Sequence, residues 1–593
     1  MDRIQIKEDF IIDGQKTKII SGAVHYFRIV PEYWEDTLLD LKDMGCNAVE
    51  TYIPWNLHEA SLVPLHLLEL CAGEADSFLE LAKKLGLYVI VRPSPYICSE
   101  WELGGLPAWL LKDSDIRLRT NDSVYMKHLE EYYAVLLPMI AKYQINREGT
   151  IILAQLENEY GSYNQDKDYL KALLKMMREY GIEVPIFTAD GTWEEALEAG
   201  SLFEEDVFPT GNFGSNAKEN IAVLKEFMKK HQIVAPIMCM EFWDGWFNRW
   251  NMEIVKRDPE ELVQSAKEMI DLGSINFYMF HGGTNFGWMN GCSARKEHDL
   301  PQITSYDYDA ILTEYGAKTE KYHLLRKMIT GKQDILPDRR KTASYGRVSL
   351  NRSVSLFNTL SSLSSVIESP WPESFEKLDY YYGYVLYEHG FESYKDDVTM
   401  RIIDARDRAQ IYLDKEYVAT QYQEEIGDPV TLHTKKDCKH SLSILLENMG
   451  RVNYGSKLQA DTQRKGIRNG VMLDIHFTKN WKQYCIDFTK VNQIEWDNAN
   501  IGGPTFNEYV FDIQDAPKET FIDLSAFGKG IVIVNGFNLG RFYNSGPTLS
   551  LYIPGPLLKK GNNQIVIFET EGIVSDSIHL VDKPIFKKDM NNN

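Results

Sequence analysis

The chain has 593 residues, 44% of them hydrophobic and 25% charged, which gives room for about three domains and excludes a disordered or collagen-like polypeptide. Its 64 basic and 86 acidic side chains leave a net charge of −22 (64 − 86), so neither nucleic acid nor a membrane surface is an expected partner. Seven cysteines show no CxxC pair or metal-type spacing, charges break every apolar stretch of MDRIQIKEDFIIDGQKTKII, and no run of about 18 apolar residues occurs, so the expected compartment is the cytoplasm.

In chain order, strands are expected at Lys18–Val24, Asn47–Ile53, Tyr88–Arg92, Thr150–Leu156, Val184–Ala189, Asp206–Gly211, Ala235–Met240 and Ile275–Phe280. Helical periods lie between most of them, at Tyr33–Met44, Ser77–Leu85, Ser123–Lys142, Asp166–Tyr180, Ala217–Lys230 and Pro259–Leu272, with C-capping glycines at Gly45, Gly86, Gly181 and Gly273. Eight such units over residues 1–330, closed by a helix at Thr319–Ile329, predict a (β/α)8 barrel, with a doubly wound open sheet as competitor. Residues 331–378 read as an irregular linker (SVSLFNTLSSLSSVIES, then PWPES). Short alternating strands follow, as two β-sandwich modules over 379–485 and 486–593.

Barrel chemistry sits where strands end. TIILAQL runs into Glu157, Asn158 and Glu159, APIMCM runs into Glu241, and Glu100 lies in the loop after the Tyr88 strand. Any one of these could simply be a polar loop residue. Two carboxylates facing each other across a barrel mouth are what glycoside hydrolysis requires. Pleat alternation does not separate Glu157 from Glu159, because residues two apart share a face.

The runs SGAVHYFR, TYIPWNLHE, RPSPYICSEWELGGLPAWL, AQLENEYGSY, MEFWDGWF, YMFHGGTNFG and SYDYDA, in this order, resemble the β-galactosidases of glycoside hydrolase family 35, most closely the shorter bacterial members. GRVNYG, DLSAFGKG and LYIPGPLLKKGNN extend the resemblance over almost all of the chain. It implies Glu159 as acid/base, Glu241 as nucleophile 82 residues on (241 − 159), and Asn158 on the sugar 2-hydroxyl. It further implies a galactose pocket of Tyr52, the Cys98–Ser99–Glu100 turn, Tyr278 beside the nucleophile, and Tyr308, with Glu157 in support. The reaction expected is retaining, cofactor-free hydrolysis of terminal β-galactose. Trp243, Trp246 and Tyr454 would clamp the leaving sugar and favour β-1,3 linkages, although Trp246 and Tyr454 could equally pack a domain junction. An exo-glycosidase for another sugar, such as glucosamine, and a galactose-binding lectin-like protein are the alternatives. Expected partners are a small oligosaccharide and, left open, a second copy of the chain in a homodimer.

His58-Glu59 lacks the second histidine of HExxH, the aspartates of SYDYDA lack an EF-hand loop, and no glycine-rich phosphate loop opens a helix, so no metal and no cofactor are expected. Cys239 reads as a small core residue. Departures from the family pattern are ASLVPLHLLELCAGEAD after NLHE (residues 60–76), Ser94 where Gly is usual, and Tyr543 where Trp is common.

Overall fold

A computed structural model describes residues 3–59, 73–93, 95–296, 298–497 and 502–587. Most of the divergent stretch after NLHE, and Ser94, lie outside the described residues.

Eight parallel strands close into a barrel: β1 (Ile20–Val24), β2 (Ala48–Tyr52), β3 (Tyr88–Arg92), β4 (Ile151–Gln155), β5 (Ile186–Gly191), β6 (Val207–Asn212), β7 (Met238–Trp243) and β8 (Ser274–His281). Their apolar, almost wholly buried sequences suit parallel strands covered on both faces. The open-sheet alternative is excluded because β8 pairs back onto β1, Ile275 opposite Ile20. Helices α1 (Trp34–Met44), α2 (Gly73–Lys84), α3 (Ser123–Ala141), α4 (Lys167–Glu179), α5 (Glu194–Gly200), α6 (Ala217–Lys230), α7 (Pro259–Leu272) and α8 (Glu320–Thr330) lie in the connections and after the last strand. Asp122, Asp166, Asp258 and Thr319 cap α3, α4, α7 and α8 by accepting backbone N–H bonds. The seven-residue α5 was not expected from the sequence, being too short to display a helical period.

Gly45 ends α1 at φ 107°, and a Cβ there would meet Thr330 and Ile329 after 2.6 and 2.8 Å, so this glycine both caps α1 and admits α8. Gly273 corrects the expectation. It follows α7 in an extended conformation, and a glycine is needed there because a Cβ would stand 2.4 Å from the Ile237 carbonyl oxygen.

The stretch expected to be an irregular linker is structured. It carries strand β9 (Gly346–Ser355), helix α9 (Leu356–Leu363) and strand β10 (Val366–Ser369). β9 pairs with Thr505–Ile513 and with Ser577–Val581, inside the eight-stranded sheet of the last module, whereas β10 joins the six-stranded sheet of the first. The first module is therefore inserted between one strand of the last module and the rest of it. Its serine-rich composition hid β9, since this strand alternates buried and exposed side chains only weakly.

A core of Val385, Ile411, Ile444 and Trp481 holds the first module, and one of Tyr509, Val532, Ile567 and Leu580 the second. A shared cluster with Tyr384, Phe488, Phe506 and Phe568 joins them. The first module is tied to the barrel by buried Arg451, which donates to Glu102 (2.6 Å) and Glu376 (2.7 Å). Cys292–Ser293 beyond β8 pairs with Val452–Tyr454, which brings Asn453 and Tyr454 to the barrel mouth.

Candidate active site

A cavity of about 490 Å³ opens at the C-terminal ends of the barrel strands. Glu159 and Glu241 both line it, with Cys98, Ser99, Glu100, Asn158, Trp243, Trp246, Tyr278, Tyr308 and Tyr454. Of the catalytic and pocket residues expected from sequence, Tyr52 does not reach its surface, and neither does the supporting Glu157.

Glu241 is held from three sides. Arg92 Nη2 donates to its Oε1 at 2.6 Å, Tyr52 Oη to the same oxygen at 2.9 Å, and Trp243 Nε1 to Oε2 at 3.1 Å. Tyr52 is fully buried, and its single proton can serve Glu241 or Asn158 Oδ1 at 2.8 Å. It positions those two groups instead of walling the sugar pocket. Arg92 continues a buried polar chain through the barrel: Glu50 lies 3.6 Å from Nη1, Gln155 accepts from Nε at 2.6 Å, and Asn276 donates to Glu50 at 3.3 Å. Burial, only partly opposed by Arg92, raises the Glu50 carboxyl to about 7.

Asn158 Oδ1 accepts from Arg92 (2.8 Å) and Gln155 (3.0 Å), and is the alternative acceptor for the Tyr52 proton. Its carbonyl is saturated, so the NH₂ group, whose one acceptor among the described residues is the Ile97 carbonyl at 3.4 Å, is the part left to donate to a ligand.

Glu159 stands at φ 45°, just past β4, with Oε1 accepting from Asn212 Nδ2 at 3.0 Å. Burial first, and then the charge of Glu241, push its carboxyl up to about 8. Glu157 has a different environment. It is 1% exposed and forms a bidentate pair with Arg119 (3.0 and 2.8 Å), with Tyr169 Oη and its neighbour's backbone N–H donating as well. One side chain faces the cavity and the other is locked behind it.

Cys98, Ser99 and Glu100 are consecutive left-handed residues, φ 53°, 52° and 50°. Such a turn costs about 1–2 kcal/mol per residue. Arg28, fully buried, holds it by donating to Ser99 Oγ (2.9 Å) and to the Ser99 carbonyl, and its guanidinium lies 3.7 Å over the Tyr306 ring. Tyr306 Oη donates to Glu100 at 2.5 Å, and burial raises Glu100 to about 7. Burial also drives the Cys98 thiol up, so it stays a thiol. Tyr278 Oη donates to Ser99 Oγ at 3.2 Å, its ring edge-on to Tyr308 at 5.8 Å. The Tyr308 carbonyl accepts from the Trp246 backbone at 2.9 Å, and a Cβ on Gly245 would stand 1.8 Å from that oxygen, which explains the glycine of EFWDGWF.

His58 and Glu59 are structural: His58 Nε2 lies 2.6 Å from Tyr26 Oη, and Glu59 accepts from Trp55 at 2.7 Å. Arg92, Asn212 and Trp193 were overlooked in the sequence. The first two end apolar strands as the carboxylates do, and Trp193 follows β5 by two residues, 50% exposed on the cavity wall. Arg28 and Arg119 carry no local signal.

Residues 9–331 match the family described as glycosyl hydrolases family 35, residues 372–487 the first all-beta domain of beta-galactosidase, and residues 504–563 its galactose-binding domain. The chain is 36% identical to beta-galactosidase 17 of Arabidopsis thaliana, covering 96% of this chain and 87% of that one. It is 35% identical to beta-galactosidase-1-like protein 2 of Homo sapiens (97% and 90% covered) and 34% identical to the beta-galactosidase of Bos taurus (98% and 93%).

Proposed function

The chain belongs to glycosyl hydrolases family 35 and is a glycoside hydrolase, and on that premise we propose that it is a retaining exo-β-galactosidase with Glu159 as acid/base and Glu241 as nucleophile. The observation that carries the assignment is the contrast between two carboxyls in one cavity. Glu241 accepts from Arg92, Tyr52 and Trp243, whereas Glu159 is raised to about 8.

In the first step a Glu241 oxygen attacks the anomeric carbon. The bond to the glycosidic oxygen breaks, and that oxygen keeps the electron pair and takes the Glu159 proton. Once Glu241 is an ester its charge is gone, one of the causes raising Glu159 disappears, and Glu159 can accept a proton. It then takes one from the water that attacks the same carbon, and Glu241 leaves as a carboxylate. The Asn158 NH₂ is suited to donate to a sugar hydroxyl, and Glu100 to accept from others.

Cleavage of terminal galactose, with preference for β-1,3 linkages, is part of this proposal. Its support is the presence of Trp243, Trp246 and Tyr454 in the same cavity as the carboxyls. The test follows the anomer released from an aryl β-galactoside by NMR, in wild type, Glu241→Gln and Glu159→Gln. The β-anomer first, no turnover by Glu241→Gln, and azide rescue of Glu159→Gln are expected. The α-anomer as first product, or identical behaviour of both variants, refutes the assignment. Equal rates on the β1-3, β1-4 and β1-6 isomers of Gal-GlcNAc refute the linkage preference alone.

A further inference from the structure

Two arginines line the outer part of the catalytic cavity, Arg249 beyond β7 and Arg295 beyond β8. Arg249 is fixed in place: its Nε donates to Ser293 Oγ at 2.7 Å, and its guanidinium lies 4.7 Å over the Phe247 ring. That leaves both of its Nη groups without an acceptor among the described residues. Arg295 donates from one Nη to the Ala294 carbonyl at 2.7 Å. Neither guanidinium forms an ion pair among the described residues, in a chain that carries 86 acidic side chains. The nearby carboxylates hydrogen-bond to other groups, although the charge of Glu100 is felt at Arg249. Asp299 accepts from Lys457 Nζ (2.9 Å) and from the Arg295 backbone (3.1 Å), and Glu100 accepts from Tyr306.

A half-buried, unpaired cation beside a second one is an unfavourable arrangement that an anion would relieve. Burial first, and then the exposed Arg295, disfavour the charge on Arg249, and Glu100 offsets this only in part. Its anchor, Ser293, pairs in register with Tyr454, so Arg249 stands on the side proposed for the leaving sugar. We infer that Arg249 and Arg295 form a subsite for an anionic substituent on the leaving group, so that the preferred substrates are β-galactosides of a uronic acid or of a sulfated amino sugar. Guanidinium N–H groups suit carboxylate and sulfate oxygens alike. The inference rests on the β-galactosidase reading.

The full chain is tested at one linkage on Galβ1-3GlcNAc, on the same disaccharide carrying a 6-sulfate on GlcNAc, and on Galβ1-3GlcA. In wild type, kcat/KM for at least one anionic substrate exceeds that of the neutral one by about tenfold, mainly through KM, and the advantage shrinks with added salt. Which anion gains identifies the source. Within Arg249→Gln and Arg295→Gln the anionic-to-neutral ratio falls toward one, and Arg249→Lys restores part of it. Equal rates on the neutral and anionic substrates, or a ratio unchanged in both Gln variants, overturn the inference alone. No turnover of any galactoside, aryl included, overturns the parent reading and this one with it.

Discussion

Glu157 and Glu159 lie two residues apart, and their surroundings give them opposite tasks. Glu157 neutralises buried Arg119, so Glu157→Gln leaves a buried guanidinium without its counter-charge and costs about 3–5 kcal/mol. Glu159 forms no ion pair among the described residues, and burial and the like charge of Glu241 outweigh the more distant Arg92. Glu159→Gln is therefore expected to keep the thermal midpoint and lose turnover, while Glu157→Gln lowers the midpoint. Thermal unfolding of the two variants checks this, and a larger fall in Glu159→Gln contradicts it. The pH profile belongs to the same residue. Glu159 must be protonated for the first step, so kcat/KM is retained on the acid side of its pKa and falls as pH rises through about 8. Asn212 donates to its carboxylate and thereby lowers that value, so Asn212→Ala should move the alkaline limb to higher pH. A shift to lower pH contradicts that role.

Two elements bring the cavity together, the left-handed turn at 98–100 and the strand pairing that delivers Tyr454. The turn is affordable because Arg28, Tyr306 and Tyr278 converge on it from other parts of the chain. Strand β9 makes a prediction at this scale. Its first half, from Gly346 to Ser349, pairs with Ser577–Val581 and its second half, from Leu350 to Ser355, with Thr505–Ile513, so without it the last sheet is split in two. A fragment of residues 486–593 should then lack fixed tertiary structure, whereas residues 340–593, which include β9, should show near-ultraviolet circular dichroism and cooperative melting. A cooperative melt of the shorter fragment contradicts this reading of the topology.

At the scale of the whole molecule, many carboxyls are buried and raised. Burial is the first cause for Glu50, Glu100, Asp190 and Glu314, each at about 7, and for Glu159 and Asp244 at about 8. The folded chain holds these protons at pH values where the unfolded chain has released them, so stability falls as pH rises from the ordinary carboxyl range toward 8. Buried His25 and His281 act in the opposite sense, but only below the ordinary histidine pKa of about 6.5. From about pH 6.5 to 8 the carboxyls act unopposed by histidine, and the thermal midpoint should decline across that interval. A midpoint that rises over it contradicts the buried-carboxyl account.

Periodicity was enough for the barrel, because parallel strands buried on both faces read as apolar runs between amphipathic helices. The ends of those runs located Glu159 and Glu241, since a polar residue closing an apolar strand lies at the barrel mouth. Arg92 and Asn212 obey the same rule and were equally legible. The linker expected at 331–378 misread β9 because a strand with weak burial contrast has no alternating pattern, and its partners lie 150 or more residues away. Local sequence also left Glu157 and Glu159 equivalent, since they share strand phase. What separates them is Arg119 behind one and Asn212 and Glu241 around the other, a difference of electrostatic surroundings that exists only once distant segments are folded together.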